Sequence, residues 1–126
     1  MVENSVSKIL IVDDSPTETF QFKQMLEEHG YEVIIAQNGR DGVAMAISEQ
    51  PNVILMDIVM PDINGFQATR QIVRDQMTSH IPVIIVSSKN QETDKVWGER
   101  QGAQGYLTKP VDSEELVAVI QRVSAG

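Results

Sequence analysis

Four apolar runs in this chain each end at a polar group capable of chemistry. Lys8-Ile9-Leu10-Ile11-Val12 ends at Asp13-Asp14, and Asn52-Val53-Ile54-Leu55-Met56 ends at Asp57. Ile81-Pro82-Val83-Ile84-Ile85-Val86 ends at Ser87-Ser88, and Tyr106-Leu107-Thr108 ends at Lys109-Pro110. In an open parallel sheet, ligands bind in the crevice beyond the carboxyl ends of the strands. If these runs are parallel strands, three carboxylates, a hydroxyl and an ammonium converge at one end of the sheet. Held close, the carboxylates repel: two unit charges at about 4 Å cost on the order of 4 kcal/mol at an effective dielectric of about 20. A Mg2+ ion would offset that cost, because it takes oxygen ligands and keeps several waters, and Lys109 would add to it. A carboxylate can act as a nucleophile toward phosphorus and give an aspartyl phosphate. That transfer needs positioning and charge neutralisation more than covalent chemistry. Asp57 is the best nucleophile candidate, alone at the end of a central apolar run and followed by a loop. Ser87 is the hydroxyl expected to donate to a phosphoryl oxygen, with Ser88 beside it as a rival.

The elements that must position these groups are legible between the runs. Ser15-Pro16-Thr17-Glu18 reads as an N-cap serine, proline at the first helical position and a capping-box glutamate. Phe22, Met25 and Leu26 follow at helical spacing. Val33-Ile34-Ile35-Ala36 is a short second strand, and Asn38 opens a helix with Val43, Ala46 and Ile47 on one face. Met60-Pro61-Asp62-Ile63-Asn64-Gly65 is rich in turn-forming residues. Asn64 is placed to cap a third helix that turns Ala68, Ile72 and Val73 inward. The fourth strand is expected to start near Ile81, with Pro82 tolerated at its beginning. Gln91 to Gln101 has only Val96 and Trp97 as an apolar face, and Gly98 interrupts it, so a thinly anchored, mobile helix is expected there. Asp112, with Glu115 in capping-box position, opens a last helix striped with Leu116, Val119, Ile120 and Val123. With caps at Ser15, Asn64 and Asp112, the strand-end residues are expected to be free of structural duty. Five strands alternate with five helices. Right-handed crossovers then give a doubly wound α/β sandwich with a five-stranded parallel sheet in the order 2-1-3-4-5.

Composition narrows the function classes. The chain has 126 residues, enough for one domain with a real core. Residues 1–7 read as a short polar extension and residues 8–126 as that domain, with no output domain expected. The formal net charge is -8, which disfavours contact with nucleic acid phosphates. No apolar run is long enough to span a bilayer, and no secretory signal pattern opens the chain. Without cysteine there are no disulfides or thiolate metal sites. A cytoplasmic protein is expected, without nucleic acid binding or membrane insertion.

The ordered set Asp13-Asp14, Asp57 followed by Met60-Pro61 and Gly65, then Ser87, then Lys109-Pro110 resembles the receiver domain of two-component response regulators (CheY-like). The resemblance runs the length of the chain and implies a flavodoxin-like (βα)5 fold. It implies that Asp57 accepts a phosphoryl group from a histidine kinase phosphotransfer domain. Asp14 and Asp57 would ligate Mg2+ directly, Asp13 through water, and Val59 through its backbone carbonyl. Ser87 and Tyr106 would be the switch pair, Lys109 would bridge to the phosphoryl group, and the Lys109-Pro110 bond would be cis. A cis X–Pro bond is a minority state, roughly 5–6% of such bonds in folded proteins. Such a receiver is no enzyme beyond its own phosphoryl uptake and loss. It would be a monomer or weak dimer, and its output would be altered contact with a downstream protein. Met56–Ile72 and Asn90–Pro110 are further similar to the small PilH-type receivers of type IV pilus twitching motility, which work in a chemotaxis-like pathway.

Other readings compete. The alternative output for the same receiver is a phosphate sink that drains a shared kinase. A haloacid dehalogenase-type phosphatase also pairs an aspartate with Mg2+, but it needs a second aspartate where this chain has Val59. A flavodoxin-like electron carrier would need a phosphate-cradling loop after the first strand, where Asp13-Asp14 would repel a flavin phosphate. Trp97 either shields the edge of its thin helix or belongs to a partner-docking face formed by the fourth helix, fifth strand and last helix. Phe20 falls on the polar side of the first helix, half-buried or a second docking spot. His29 and His80 lie at element ends and read as solvated.

Overall fold

Parallel strands require long crossovers, and here each crossover carries a helix. The computed structural model describes residues 8–125; the polar extension assigned to residues 1–7 lies outside them. The chain runs β1 (Lys8–Val12), α1 (Pro16–Glu27), β2 (Glu32–Ala36), α2 (Gly39–Glu49), β3 (Val53–Met56) and α3 (Gly65–Arg74). It continues through β4 (Val83–Ser87), α4 (Glu92–Arg100), β5 (Gly105–Thr108) and α5 (Ser113–Ala125). All pairings are parallel, and the sheet order is β2-β1-β3-β4-β5, as the alternation predicts.

A strand covered on both faces reads as a continuous apolar run rather than an alternating one. That is why β1, β3 and β4 look alike in sequence. Ile9 and Ile11 of β1, Val53 and Leu55 of β3, and Ile84 and Val86 of β4 pack against Phe22 and Leu26 of α1 and Leu116 and Ile120 of α5. Their neighbours Leu10, Val12, Ile54, Met56 and Val83 point the other way, onto Ala46 of α2 and Ala68 and Ile72 of α3. The sheet is thus sandwiched between two helical layers.

Several local expectations are met and some are refined. Ser15 and Asn38 accept hydrogen bonds from Glu18 and Asp41 N–H groups at 3.3 and 2.8 Å. Asn64 and Gln67 form a reciprocal capping box on α3, and Asp112 accepts from Glu115 N–H at 3.1 Å. Regular strand β4 begins at Val83 rather than Ile81. Proline has no N–H to give the ladder, yet the Pro82 carbonyl still accepts the Ile54 N–H at 3.0 Å. In α4 the only buried residue is Gly98, so the helix is thinly anchored, as its sequence predicts. The glycine is its foothold rather than an interruption. A Cβ there would stand 2.8 Å from Ile85 Cδ1, so an alanine would have to push that methyl aside for α4 to keep its seat on β4.

Two buried threonines on or beside α3 make opposite predictions. Thr78 is 1% exposed and its hydroxyl donates to the Ile72 carbonyl at 2.6 Å. Thr69 is fully buried and its hydroxyl has no hydrogen-bond partner among the described residues. A buried unmet hydroxyl costs about 1–3 kcal/mol, whereas a made bond contributes about 1 kcal/mol. Thr69→Val therefore stabilises the fold by about 1 kcal/mol and Thr78→Val destabilises it by about the same or more, read as shifts of the urea midpoint.

Candidate functional site

The backbone ladder carries on past the strand ends and sets the polar residues side by side. Asp13 N–H donates to the Ala36 carbonyl at 3.1 Å, Asp57 N–H to Val12 at 2.9 Å, and Lys109 N–H to Ser87 at 2.9 Å. Carboxylate oxygens of Asp13, Asp14 and Asp57 lie within 4.8 Å of one another. Asp13 is buried, Asp57 half-buried and Asp14 exposed, so the cluster opens to solvent through Asp14. Lys109 Nζ stands 3.0 Å from Asp13 Oδ2 and 3.6 Å from Asp57 Oδ1. The Lys109–Pro110 peptide bond is cis.

The electrostatics leave the corner short of positive charge. Burial pushes the Asp57 carboxyl up to about 6; Lys109 opposes this, and Asp13 and Glu18 add to it. Burial likewise raises Asp13, against the Ser15 N–H and Lys109, which pull it down. A divalent cation among these oxygens relieves both, and an all-oxygen donor set open to water suits Mg2+. Asp13 already spends Oδ1 on the Ser15 N–H at 2.9 Å and Oδ2 on Lys109. Asp57 spends only Oδ1, on the Ile58 N–H at 2.8 Å and the more distant Lys109. Direct ligation is therefore easier for Asp14 and Asp57 than for Asp13.

Asp13 is not free of structural duty as the placement of caps implied: its bond to the Ser15 N–H shapes the turn into α1. Glu18 also departs from its expected role. It does not close a capping box on Ser15; its carboxylate pairs with Lys109 Nζ, bringing a fourth acid to the corner. Nothing in the sequence distinguishes these roles, because a glutamate three residues after a serine is a sufficient reading on its own. In sequence Asp62 reads as a turn residue. Its carboxylate accepts from the Gly39 and Arg40 N–H groups at 2.9 and 2.8 Å, tying the loop after β3 to the start of α2.

The remaining candidates are spread around this corner. Ser87 is buried at the end of β4, and its Oγ accepts from the Lys89 N–H at 3.2 Å. Ser88 is exposed and lines a cleft with Glu18, Phe22, Met25, Lys109 and Pro110. The half-buried Tyr106 donates its hydroxyl to the Lys89 carbonyl at 2.6 Å. Burial, with the Asp94 and Asp57 carboxylates, pushes that phenol up to about 12. Val59 lies exposed in the loop between β3 and α3. Trp97 and Val96 are 45% and 42% exposed on α4, and Phe20 is 58% exposed on α1. Neither His29 nor His80 joins the carboxylate cluster.

The sequence profile of the response regulator receiver domain matches residues 9–121. The chain belongs to that family. This receiver is 64% identical over 121 residues to Protein PilH of Pseudomonas aeruginosa, covering 96% of this chain and all of that protein. It is 37% identical to Protein PilG of the same organism, over 90% of this chain and 84% of that one. Two other curated relatives are longer, and the receiver spans 47% and 50% of them. Among solved structures it resembles the receiver domain of a sensor histidine kinase from P. aeruginosa at 29% identity and a TM-score of 0.88. That match covers 96% of this chain and 99% of the other, which holds a magnesium ion coordinated in its active site cleft. The chain is thus a receiver of a two-component system, with CheY-like fold neighbours. No helix among its described residues is long and apolar enough to cross a membrane.

Proposed function

We propose that Asp57 is the phosphoacceptor of this receiver, charged by the phosphotransfer domain of a histidine kinase. An Asp57 carboxylate oxygen attacks phosphorus, the P–O bond forms, and the P–N bond of the donor phosphohistidine breaks. The observation that carries this reading is the meeting of three carboxylates within 4.8 Å with an ammonium 3.6 Å from Asp57. Asp14, Asp57 and the Val59 carbonyl would hold Mg2+, and Asp13 would act on it through water. The ion would supply positive charge for the phosphoryl oxygens. Lys109 neutralises a further oxygen and Ser87 donates to another, with Ser88 as the alternative hydroxyl.

The new charge, about -1.5 to -2, gives Ser87 a reason to leave Lys89 and turn toward Asp57. Tyr106, which is tied to the same Lys89 segment, follows inward. The surface bearing Trp97 on α4 then changes its affinity for a downstream protein. The similarity to PilH and PilG supports a place in a chemotaxis-like pathway serving type IV pili.

The test is intact-mass measurement after incubation with acetyl phosphate. One phosphoryl group is added in Mg2+ and none with chelator. Equal uptake in chelator contradicts the proposed role of the ion.

A further inference from the structure

Lys109 is crowded with acids. An ammonium has three protons to donate. Here it faces Asp13 Oδ2 at 3.0 Å, Glu18 Oε1 in close contact, and Asp57 Oδ1 at 3.6 Å, beyond an ordinary hydrogen bond. A phosphoryl oxygen on Asp57 has to displace one of these partners. Asp13 is the poor candidate: its side chain is 4% exposed, and its other oxygen is held by the Ser15 N–H. The Glu18 side chain is 42% exposed, so water receives its charge once the pair opens. Beside it lies the cleft of about 370 Å³ bounded by Phe22, Met25, Ser88 and Pro110, into which the freed side chain can swing.

We propose that Glu18 is a latch on Lys109, occupying the ammonium in the resting receiver and yielding it when a phosphoryl group arrives on Asp57. This inference rests on Asp57 being the phosphoacceptor, and it assigns Glu18 as a positioning residue that sets how strongly the site holds a phosphoryl group. The latch opposes capture. A half-exposed ion pair contributes up to about 1 kcal/mol, so breaking it raises phosphoryl-group affinity roughly fivefold.

The experiment is calorimetric titration of beryllium trifluoride, a phosphoryl mimic, into the Mg2+-loaded full chain and its Glu18→Gln and Glu18→Asp variants. Glu18→Asp keeps the charge but withdraws the carboxylate by one methylene, which separates a latch from a general field effect. The latch predicts tighter binding in both variants, roughly fivefold for Glu18→Gln. Unchanged or weaker binding in Glu18→Gln overturns it, as does Glu18→Asp behaving like the parent while Glu18→Gln tightens. Failure of the parent protein itself to bind overturns the Asp57 assignment and the latch together. Matched urea midpoints exclude misfolding as the cause.

Discussion

The Asp57→Asn protein takes up no detectable phosphoryl group, yet without metal it is more stable than its parent at neutral pH. Both halves follow from one burial. Asn keeps an oxygen for the Ile58 N–H, which Asp57 Oδ1 now accepts at 2.8 Å, so the local turn survives. It lacks the carboxylate that attacks phosphorus. It also removes a charge that the fold holds at a cost: the Asp57 carboxyl is raised from 3.8 to about 6. A raised carboxyl is fully tolerated while protonated, below its unfolded value. Its stability contribution is lost as pH rises through the folded value. The shift is worth about 3 kcal/mol at face value, and about 1–2 kcal/mol after discounting for the site's access to solvent. Thermal melts with chelator should therefore coincide for the two proteins near pH 4, separate between about pH 4 and 6, and stay apart above. Mg2+ at saturation reverses the order: at about a hundred times its Kd it stabilises the parent by about 2.7 kcal/mol and leaves Asp57→Asn nearly unmoved. A parent more stable than Asp57→Asn in chelator at pH 7.5 would contradict the charge-strained corner.

Gly65→Ala should be the most damaging single methyl group outside the acidic corner. A Cβ at Gly65 would stand 2.0 Å from the carbonyl oxygen of Asp57, 2.8 Å from its carbonyl carbon and 2.9 Å from Ile58 Cα. All three are backbone atoms, so no rotamer change relieves the clash. The Gly65 N–H also donates to the Ile58 carbonyl at 2.8 Å, closing the loop from β3 to α3. Either that bond breaks or the backbone of Asp57 moves. Overpacking of this kind costs typically 1–3 kcal/mol and sometimes more. A shift of about 1 Å at a reacting group can lower its rate about 100-fold. The expected result is an unfolding free energy lowered by about 3 kcal/mol in urea titration and slow phosphoryl uptake from acetyl phosphate even at temperatures where the variant is folded. Wild-type uptake in a folded Gly65→Ala protein would show that the loop does not position Asp57.

The sequence carries the sheet because buried parallel strands are continuous apolar runs, and their polar stops mark where the sheet ends. It carries Asp13, Asp14, Asp57 and Lys109 for the same reason. What it hides are contacts made by residues that already have a sufficient local explanation. Glu18 satisfies a capping pattern and meets Lys109 only because α1 folds back across the strand ends. Asp62 looks like a turn former and ties down the start of α2 instead. Gly98 reads as a helix weakness because the close approach of Ile85 is a tertiary fact. Asp13 reads as purely functional because its bond to Ser15 N–H duplicates a cap already visible in sequence.

Borohydride reduction of the phosphorylated protein, followed by peptide mapping, tests the central claim most directly, because hydride converts an aspartyl phosphate to homoserine where it stands. Homoserine is expected at position 57 and at no other position. Homoserine at position 13 or 14, or a phosphoryl group retained on His29 or His80, would contradict it.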